Sequence, residues 1–160
     1  MTPEWLPDLV ATDGEWDTVI AGLYAVFCRD FRDGRPRLNG LPVQWDERIS
    51  AEGFEEAFWH LVTADEHNVG ERLFEPERAR HLSWCGAVIG NAGDAAVLQW
   101  VYREKGKLRT YLWLRELDYV VVLKGVPPAA PQYYFLITAF HVSGDSQRRN
   151  MRRRYQEREP

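Results

Sequence analysis

Two histidines, His60 and His67, flank Thr63 in a segment rich in large apolar residues. At about 100° per residue, a helix over this segment would place His60, Thr63 and His67 on one face. The large apolar residues are Phe54, Phe58 and Leu61. They fall on a roughly opposite face, which we expect to be buried. Histidine titrates near neutral pH without help. Two imidazoles on the unburied face therefore predict an acid–base pair.

A metal site is the alternative for the same segment, with Glu56, His60 and His67 as its ligands. Imidazoles seven residues apart on a helix lie about 10 Å apart along the axis. That separation is too large for one zinc ion unless the helix breaks. The chain also has no phosphate-binding glycine loop, no His-Glu-x-x-His and no nucleophile elbow. We therefore expect no cofactor and no metal.

The length and composition predict one globular domain over residues 1–160, with an irregular lead-in over 1–14. No apolar run is long enough to span a bilayer, so we expect no membrane association. The first residues have no basic or apolar signal region. Cys28 and Cys85 form neither a disulfide framework nor a metal spacing, and we expect reduced, mostly buried thiols. These features favour a cytoplasmic location.

The net charge of −4 hides a basic C-terminal run, Gln147-Arg-Arg-Asn-Met-Arg-Arg-Arg-Tyr155. Guanidinium groups bind phosphate in a bidentate manner, and a basic stripe is typical of a nucleic-acid contact. The predicted RNA-binding arginines of this run are Arg148, Arg149, Arg152 and Arg153. The alternative is a solvated helix whose arginines pair with nearby carboxylates.

Hydrophobic periodicity predicts helices before strands. The helices are expected at 15–31, capped by Asp13, at 47–64, and in a third segment with Pro76 in its first turn. A short extended piece is expected within 37–46. Strands are expected at 96–103, 107–114, 119–124 and 133–142, followed by the arginine-rich helix. The pattern predicts an α+β domain: N-terminal helices, then a four-stranded antiparallel sheet with helices on one face and the other face open, and a C-terminal basic helix.

Period-two alternation predicts which side chains line the open face. Arg109, Tyr111, Trp113 and Arg115 point to the same side of their strand. Aromatic and cationic side chains together suit base stacking and phosphate contact. We therefore predict that Tyr111 and Trp113 bind RNA.

The last strand carries a polar residue on an apolar face. Thr138 is predicted to lie between Leu136 and Phe140, where its hydroxyl needs a partner. That partner is either a functional group or the backbone of the strand itself. His81 and His141 are expected to have structural or no particular roles.

Four segments of the chain carry a resemblance to a known family. They are Phe58-Trp-His-Leu-Val-Thr with Glu66-His-Asn, then Glu71-Arg-Leu-Phe-Glu-Pro-Glu-Arg-Ala-Arg, then Arg109-Thr-Tyr-Leu-Trp-Leu with Tyr119-Val-Val-Val-Leu, and Tyr134-Phe-Leu-Ile-Thr-Ala-Phe-His-Val. Residues 54–155 resemble the phage- and mobile-element-associated branch of the barnase/EndoU/colicin/RelE-like ribonucleases. The resemblance implies helices before a four-stranded antiparallel sheet, and metal-independent RNA cleavage. It also implies a toxin or conflict effector that an immunity or antitoxin protein holds in check.

The resemblance implies a type of site, with histidines before the sheet, a basic residue within it and a Thr or Ser on the last strand. His60 and His67 match as the proton-transfer pair, with acid and base not assigned. Arg109 and Arg72 match as groups that stabilise charge, and Thr138 as the residue that holds a phosphoryl oxygen or orients a histidine. Attack by the RNA 2′-OH would give a 2′,3′-cyclic phosphate. The alternatives are a non-catalytic RNA- or protein-binding module of the same fold and a metal-dependent hydrolase.

Overall fold

The computed structural model describes residues 2–64 and 72–160, and its architecture is α+β. The helices are α1 Trp16–Phe27, α2 Glu56–Val62, α3 Pro76–Arg80, α4 Leu82–Gly90 and α5 Gly144–Gln156. The strands are β1 Arg37–Leu38, β2 Leu41–Gln44, β3 Thr63–Ala64, β4 Leu73–Phe74, β5 Val97–Glu104, β6 Lys107–Leu114, β7 Tyr119–Val126 and β8 Tyr133–His141. Strands β3 and β4 form a small sheet of their own, and the other six form the main sheet.

The prediction of a four-stranded antiparallel sheet is wrong, because the main sheet has six strands and is mixed. Its order is β1-β2-β8-β7-β6-β5. Strands β5 to β8 form the expected antiparallel meander. Strand β2 extends it by pairing in parallel with β8, with Val43 opposite Tyr134. With four residues and an internal Pro42, β2 is too short to show a period-two pattern.

Both faces of the main sheet are covered. On one face α1, α2 and α4 enclose a core that includes Leu112 and Val121. On the other face α5 packs Met151 against Tyr111 and Trp113, which are each 2% exposed. The expected open face is therefore absent. The aromatic rings that were to line it are buried, because α5 removes their large apolar surfaces from water.

Helix α1 begins after Glu15 rather than after Asp13, the predicted cap, and no side chain caps it by a hydrogen bond. Its buried residues recur at helical spacing, as expected. The helix continues directly into a π-helical segment, Cys28–Asp33. This segment leads the chain to the outer edge of the main sheet, where β1 begins.

Helix α2 has seven residues and is much shorter than the predicted helix over 47–64. Thr63 already belongs to β3 and is buried. The prediction of one helix face shared by His60, Thr63 and His67 is therefore wrong, and His67 lies outside the described residues. The opposite face does pack inward as expected, since Phe58 and Leu61 are buried.

The N-terminal end of α2 is fixed by a buried hydrogen bond and by aromatic packing. The hydroxyl of Tyr24 in α1 donates to Oε1 of Glu55 at 2.6 Å. This bond, with burial, raises the pKa of Tyr24 to about 12. The rings that pack around Tyr24 belong to Phe27, Phe54 and Phe58. The start of α2 is thus held against α1.

The C-terminal end of α2 is held by two arginines. Nη1 of Arg78 donates to the carbonyl oxygens of His60 and Thr63, at 3.2 and 3.0 Å. Nη2 of Arg72 donates to the Thr63 carbonyl at 2.6 Å, and its Nε donates to Thr63 Oγ1 at 3.0 Å. A free helix of this length is not stable in water. These bonds therefore help to determine where His60 lies.

A β-bulge interrupts the pairing of β7 with β8. Thr138 pairs with Val122, while the next residue of β7 pairs with Leu136, so Ile137 is an extra residue. The bulge leaves Leu136 in the core beneath α2, whereas Thr138 lies with Phe140 on the face covered by α5. The predicted shared face of Leu136, Thr138 and Phe140 is therefore wrong.

Arg78 provides a direct test of how α2 is held. We expect Arg78→Met to lower the free energy of unfolding by about 2–3 kcal/mol, because hydrogen bonds from a charged donor are lost. Urea unfolding measures this change. The exposed Arg115 is the matched control, and Arg115→Met should change the value by less than about 0.5 kcal/mol. Equal effects of the two substitutions would contradict this role of Arg78.

Candidate functional site

His60 lines a cavity between α2 and the strands β6, β7 and β8. This cavity, here named the α2 cavity, has a volume of about 280 Å³. Arg109 of β6 and Lys124 of β7 line it together with His60. Its remaining wall is largely apolar and is formed by Ala57, Leu61, Phe135, Leu136 and Ile137. An imidazole and two cations thus meet in one partly apolar recess.

Neither cation of the α2 cavity has an ion-pair partner among residues 2–64 and 72–160. Arg109 donates only to the carbonyl oxygen of its neighbour Leu108, at 3.1 Å. Nζ of Lys124 lies 5.3 Å from the ring centroid of Phe135. The cavity also contains Asp46, but Nε of Arg48 binds its Oδ1 at 2.8 Å. The α2 cavity therefore keeps an excess of positive charge, which suits an anionic ligand.

The environment of His60 favours its neutral form. Burial lowers the pKa of His60 most, followed by the positive charge of Arg72. Glu56 and Asp46 act in the opposite direction. A neutral imidazole at pH 7 can accept a proton. His60 is thus suited to be a general base.

A second cavity adjoins the first and is here named the α5 cavity. Its volume is about 340 Å³, and Arg109 and Ile137 line both cavities. Thr138 and Arg154 also line the α5 cavity. The Thr138 hydroxyl has no hydrogen-bond partner in the described part of the chain, so the back-bonded alternative is not observed. The bulge at Ile137 is what places Thr138 on the face of the sheet that α5 covers.

Arg154 is held rigidly at the wall of the α5 cavity. Its Nη1 donates to Oε1 of Glu104 at 3.1 Å and to the hydroxyl of Tyr111. Its guanidinium carbon lies 5.3 Å from the ring centroid of Tyr102 and 5.6 Å from that of Tyr111. Tyr111 also lines the α5 cavity, where its hydroxyl accepts a hydrogen bond from Arg154, and its ring is 2% exposed and is not accessible to a base.

Sequence reasoning missed both Lys124 and Arg154. Lys124 could have been identified from the sequence, because it is the cation that directly follows the apolar residues 119–123 of β7. In the last helix, Met151 and Tyr155 are the large apolar residues and mark the inner face. Arg154 lies three residues after Met151, on that inner face, unlike Arg152 and Arg153. The helical period of α5 could therefore have identified it.

A third cavity of about 200 Å³ extends the α5 cavity and is here named the α3 cavity. The two share Phe140 and Gln147. Arg78 and His141 line the α3 cavity. The three cavities share lining residues and follow β8 from Phe135 to His141, and we call them the β8 groove.

Among the described residues, Arg72 and Trp113 lie away from the groove. Arg72 lines none of its three cavities, because its guanidinium binds the end of α2. Trp113 is buried beneath α5, with its Nε1 unpaired in the described structure. His67 lies outside the described residues. Of the catalytic residues predicted from the sequence, the structure therefore brings His60 and Arg109 together in one cavity and places Thr138 in the next.

The four predicted RNA-binding arginines of α5 differ in their contacts. Arg148 pairs with Asp118, and Arg153 with Glu157 at 3.2 Å. Arg149 and Arg152 are exposed. The ion-paired alternative thus applies to two of the four arginines. The other two face solvent without an ion pair in the described chain.

His81 and His141 form a stacked pair with ring centroids 4.8 Å apart. His81 is 5% exposed, and its Nδ1 lies 2.5 Å from the carbonyl oxygen of Glu77. Burial, with the nearby His141 and Arg80, lowers the pKa of His81 to about 4. His81 is therefore a neutral packing residue at pH 7, while His141 borders the α3 cavity.

Across residues 2–64 and 72–160, no three His, Cys, Asp or Glu side chains are grouped so that they could hold a metal ion. Cys28 and Cys85 are free thiols, and burial raises the pKa of Cys85 to about 12. Within the same residues, no helix has the length and apolar character needed to cross a membrane.

No protein-family model, curated protein or solved structure matches this chain.

The electrostatic environment of His60 can be tested by substitution. We expect Arg72→Gln to raise the pKa of His60 and Glu56→Gln to lower it, because the first removes a positive charge and the second a negative one. In the wild type this pKa should lie below 6.5. NMR titration of the His60 ring measures all three values.

The lowered pKa of His60 also makes the stability of the fold depend on pH. Between the lowered pKa of His60 and 6.5, the unfolded chain binds more protons than the folded chain. The contribution of His60 to stability is therefore complete above pH 6.5 and is lost as the pH falls through that window. If Arg72→Gln and Glu56→Gln shifted the pKa of His60 in the same direction, the opposite effects assigned to these two charges would be wrong.

Proposed function

We propose that the protein is a metal-independent endoribonuclease whose active site is the β8 groove. The observation that carries the proposal is the meeting of His60, Arg109 and Lys124 in the α2 cavity. A base and two unpaired cations are the groups that phosphodiester cleavage by an internal nucleophile requires. The resemblance of residues 54–155 to the phage-associated branch of the barnase/EndoU/colicin/RelE-like ribonucleases supports the same chemistry.

In the proposed reaction His60 is the general base. RNA supplies its own nucleophile, so no covalent enzyme intermediate is needed. The neutral imidazole accepts the proton of the 2′-OH while the 2′ oxygen attacks phosphorus. The bond from phosphorus to the 5′ oxygen then breaks. The lowered pKa of His60 supports this role, since it keeps the ring unprotonated at pH 7.

Arg109 is the proposed stabiliser of the negative charge that develops on phosphorus. A guanidinium presents two parallel N–H donors that match two phosphoryl oxygens. Arg109 borders both the α2 and the α5 cavities, so its cation lies where they adjoin. Thr138 and Arg154 in the α5 cavity are proposed to hold the oxygens of the same or the neighbouring phosphate.

The leaving 5′ oxygen requires a proton from an acid. Arginine does not give up its proton in proteins, which excludes Arg109 from this role. Lys124 has a removable proton and lines the same cavity as His60, and we assign the acid to it. His67, the sequence-derived candidate, is the alternative acid. Comparison of Lys124→Ala with His67→Ala distinguishes the two.

The proposed products are a 2′,3′-cyclic phosphate and a 5′-OH end. The proposed setting is the cytoplasm, with RNA as the substrate and an immunity or antitoxin protein as the partner that restrains the enzyme. The alternative function is that of a module of the same fold that binds RNA or protein without cleaving RNA. The burial of Tyr111 and Trp113 argues against base stacking on the sheet in such a module.

The test is cleavage of a fluorescent RNA by the purified protein with and without EDTA. We expect cleavage that EDTA does not reduce. His60→Ala should lower the rate on the order of 10²–10⁴-fold, as for a lost general base. Arg109→Gln should lower it on the order of 10²–10³-fold through lost charge stabilisation.

The controls separate chemistry from folding. Arg115→Gln removes the same charge from an exposed position outside the groove and should leave the rate unchanged. Thr138→Val keeps the shape and removes a hydroxyl that has no hydrogen-bond partner in the described structure, so it should lower cleavage while changing the free energy of unfolding by less than about 1 kcal/mol. Loss of turnover in EDTA would favour a metal enzyme instead. RNA that is bound but intact would favour the binding module.

A further inference from the structure

Another cavity lies at the opposite side of β2 from the β8 groove. Its volume is about 640 Å³. Three exposed arginines line it, Arg32, Arg35 and Arg37, together with Trp45. We call this site the arginine–tryptophan cavity. The ribonuclease mechanism proposed above uses none of its residues.

The three arginines have no ion-pair partner in residues 2–64 and 72–160. Nη1 of Arg32 donates to Sγ of Cys28 at 3.5 Å, and Nη2 of Arg37 donates to the carbonyl oxygen of Gly40 at 2.5 Å. These neutral contacts restrain the side chains without cancelling their charge. The cavity contains one carboxylate, Glu47, against three guanidinium groups. Its charge therefore suits a ligand with several anionic groups.

A strained turn presents these arginines. Arg35 has a φ of 45°, in the left-handed region that side chains other than glycine rarely adopt. A Cβ at the preceding Gly34 would lie 2.6 Å from the carbonyl oxygen of Asp30, so glycine is required there. Strain of this kind is retained where the surrounding structure enforces it, and it is frequent at ligand-binding sites. Here it follows the end of the π-helical segment Cys28–Asp33.

Trp45 adds an aromatic surface at a fixed position. Its ring packs edge-on against Phe27 and Phe31, with centroids 6.3 and 5.6 Å apart, and it remains partly exposed. The core thus holds the indole while its remaining surface lines the cavity. An aromatic ring beside arginine forks is the combination that binds bases and phosphates of single-stranded nucleic acid.

The cavity lies next to the proposed active site along the chain. Trp45 lines the arginine–tryptophan cavity, and the next residue, Asp46, lines the α2 cavity. The two sites are therefore neighbours along the chain, just after the end of β2. A further cavity of about 490 Å³ shares Arg35 and Arg37 and continues the surface toward Trp5. The two cavities that share Arg35 and Arg37 together form a concave surface that extends from Trp45 to Trp5.

We propose that the arginine–tryptophan cavity binds single-stranded RNA next to the bond that is cut, with Arg32, Arg35 and Arg37 on phosphates and Trp45 against a base. This inference rests on the proposed ribonuclease function for its link to catalysis, but not for RNA binding itself. A concave site with a fixed aromatic ring favours a nucleotide chain over an acidic protein surface. The cavity thereby favours long substrates over short ones.

The test compares two triple variants with the same change in charge. One is Arg32→Gln, Arg35→Gln and Arg37→Gln. The control is Arg103→Gln, Arg115→Gln and Arg158→Gln, at exposed positions outside both sites. The binding probe is a fluorescent 2′-O-methyl RNA of about 12 nucleotides, which cannot be cleaved by 2′-OH attack. Binding is followed by fluorescence anisotropy at several salt concentrations.

We expect the cavity variant to bind this probe on the order of 10–100-fold more weakly, with a slope of log K against log salt smaller by about 2, from three lost phosphate contacts. The control variant should bind nearly as the wild type does. In cleavage assays, the triple substitution of Arg32, Arg35 and Arg37 should raise the KM for a long RNA and should leave the cleavage rate of a dinucleotide unchanged.

The outcomes separate this inference from the proposed function. If no RNA is cut but the cavity variant alone loses binding, the RNA site stands and the ribonuclease proposal fails. If RNA is cut but both variants bind the probe as the wild type does, the inference is overturned, and the arginines would then suit an acidic protein partner. Equal weakening by the two variants would also overturn it, since it would reflect net charge alone.

Discussion

The position of His60 depends on the arginines that bind the carbonyl end of α2. A helix of seven residues cannot hold itself in water. Arg78 and Arg72 satisfy its terminal carbonyl groups, while Glu55 fixes its start through Tyr24. The same arginines bring positive charge close to the imidazole and, with burial, favour its neutral form. The arginines that hold the end of α2 thus add to the effect of burial in keeping His60 neutral.

The rest of the groove depends on how α5 and β8 meet. The extra residue Ile137 shifts the alternation of β8, so that Thr138 faces the side of the sheet that α5 covers. Met151 anchors α5 on the buried aromatic side chains, and Arg154, one turn later, reaches the wall of the α5 cavity. Glu104 and Tyr111 then hold its guanidinium. The bulge at Ile137 brings Thr138, and the helical spacing of α5 brings Arg154, to the cavity that Arg109 also lines.

The sequence predicted those features that depend on local patterns. Strands β5 to β8 and the helical character of α5 followed from alternation and from turn residues. Arg109 was selected from strand alternation, whereas His60 was selected from a helix face that was to include Thr63, which belongs to β3 instead. The six-stranded mixed sheet could not be predicted, because β2 pairs with a distant strand over only two register positions, at Val43 and Gln44. The bulge at Ile137 has no signature in an apolar run. The burial of Tyr111 depends on where α5 docks, which strand alternation alone does not reveal.

We propose that the β8 groove cleaves RNA through the substrate's own 2′-OH. The most direct measurement is end-group analysis by mass spectrometry, using one RNA and the same sequence with every 2′-hydroxyl replaced by hydrogen. For attack by the 2′-OH, we expect that only the RNA is cut, that its upstream fragments end in a 2′,3′-cyclic phosphate, and that its downstream fragments begin with a 5′-OH. Cleavage of the deoxy strand, or fragments with 3′-OH and 5′-phosphate ends, would contradict it.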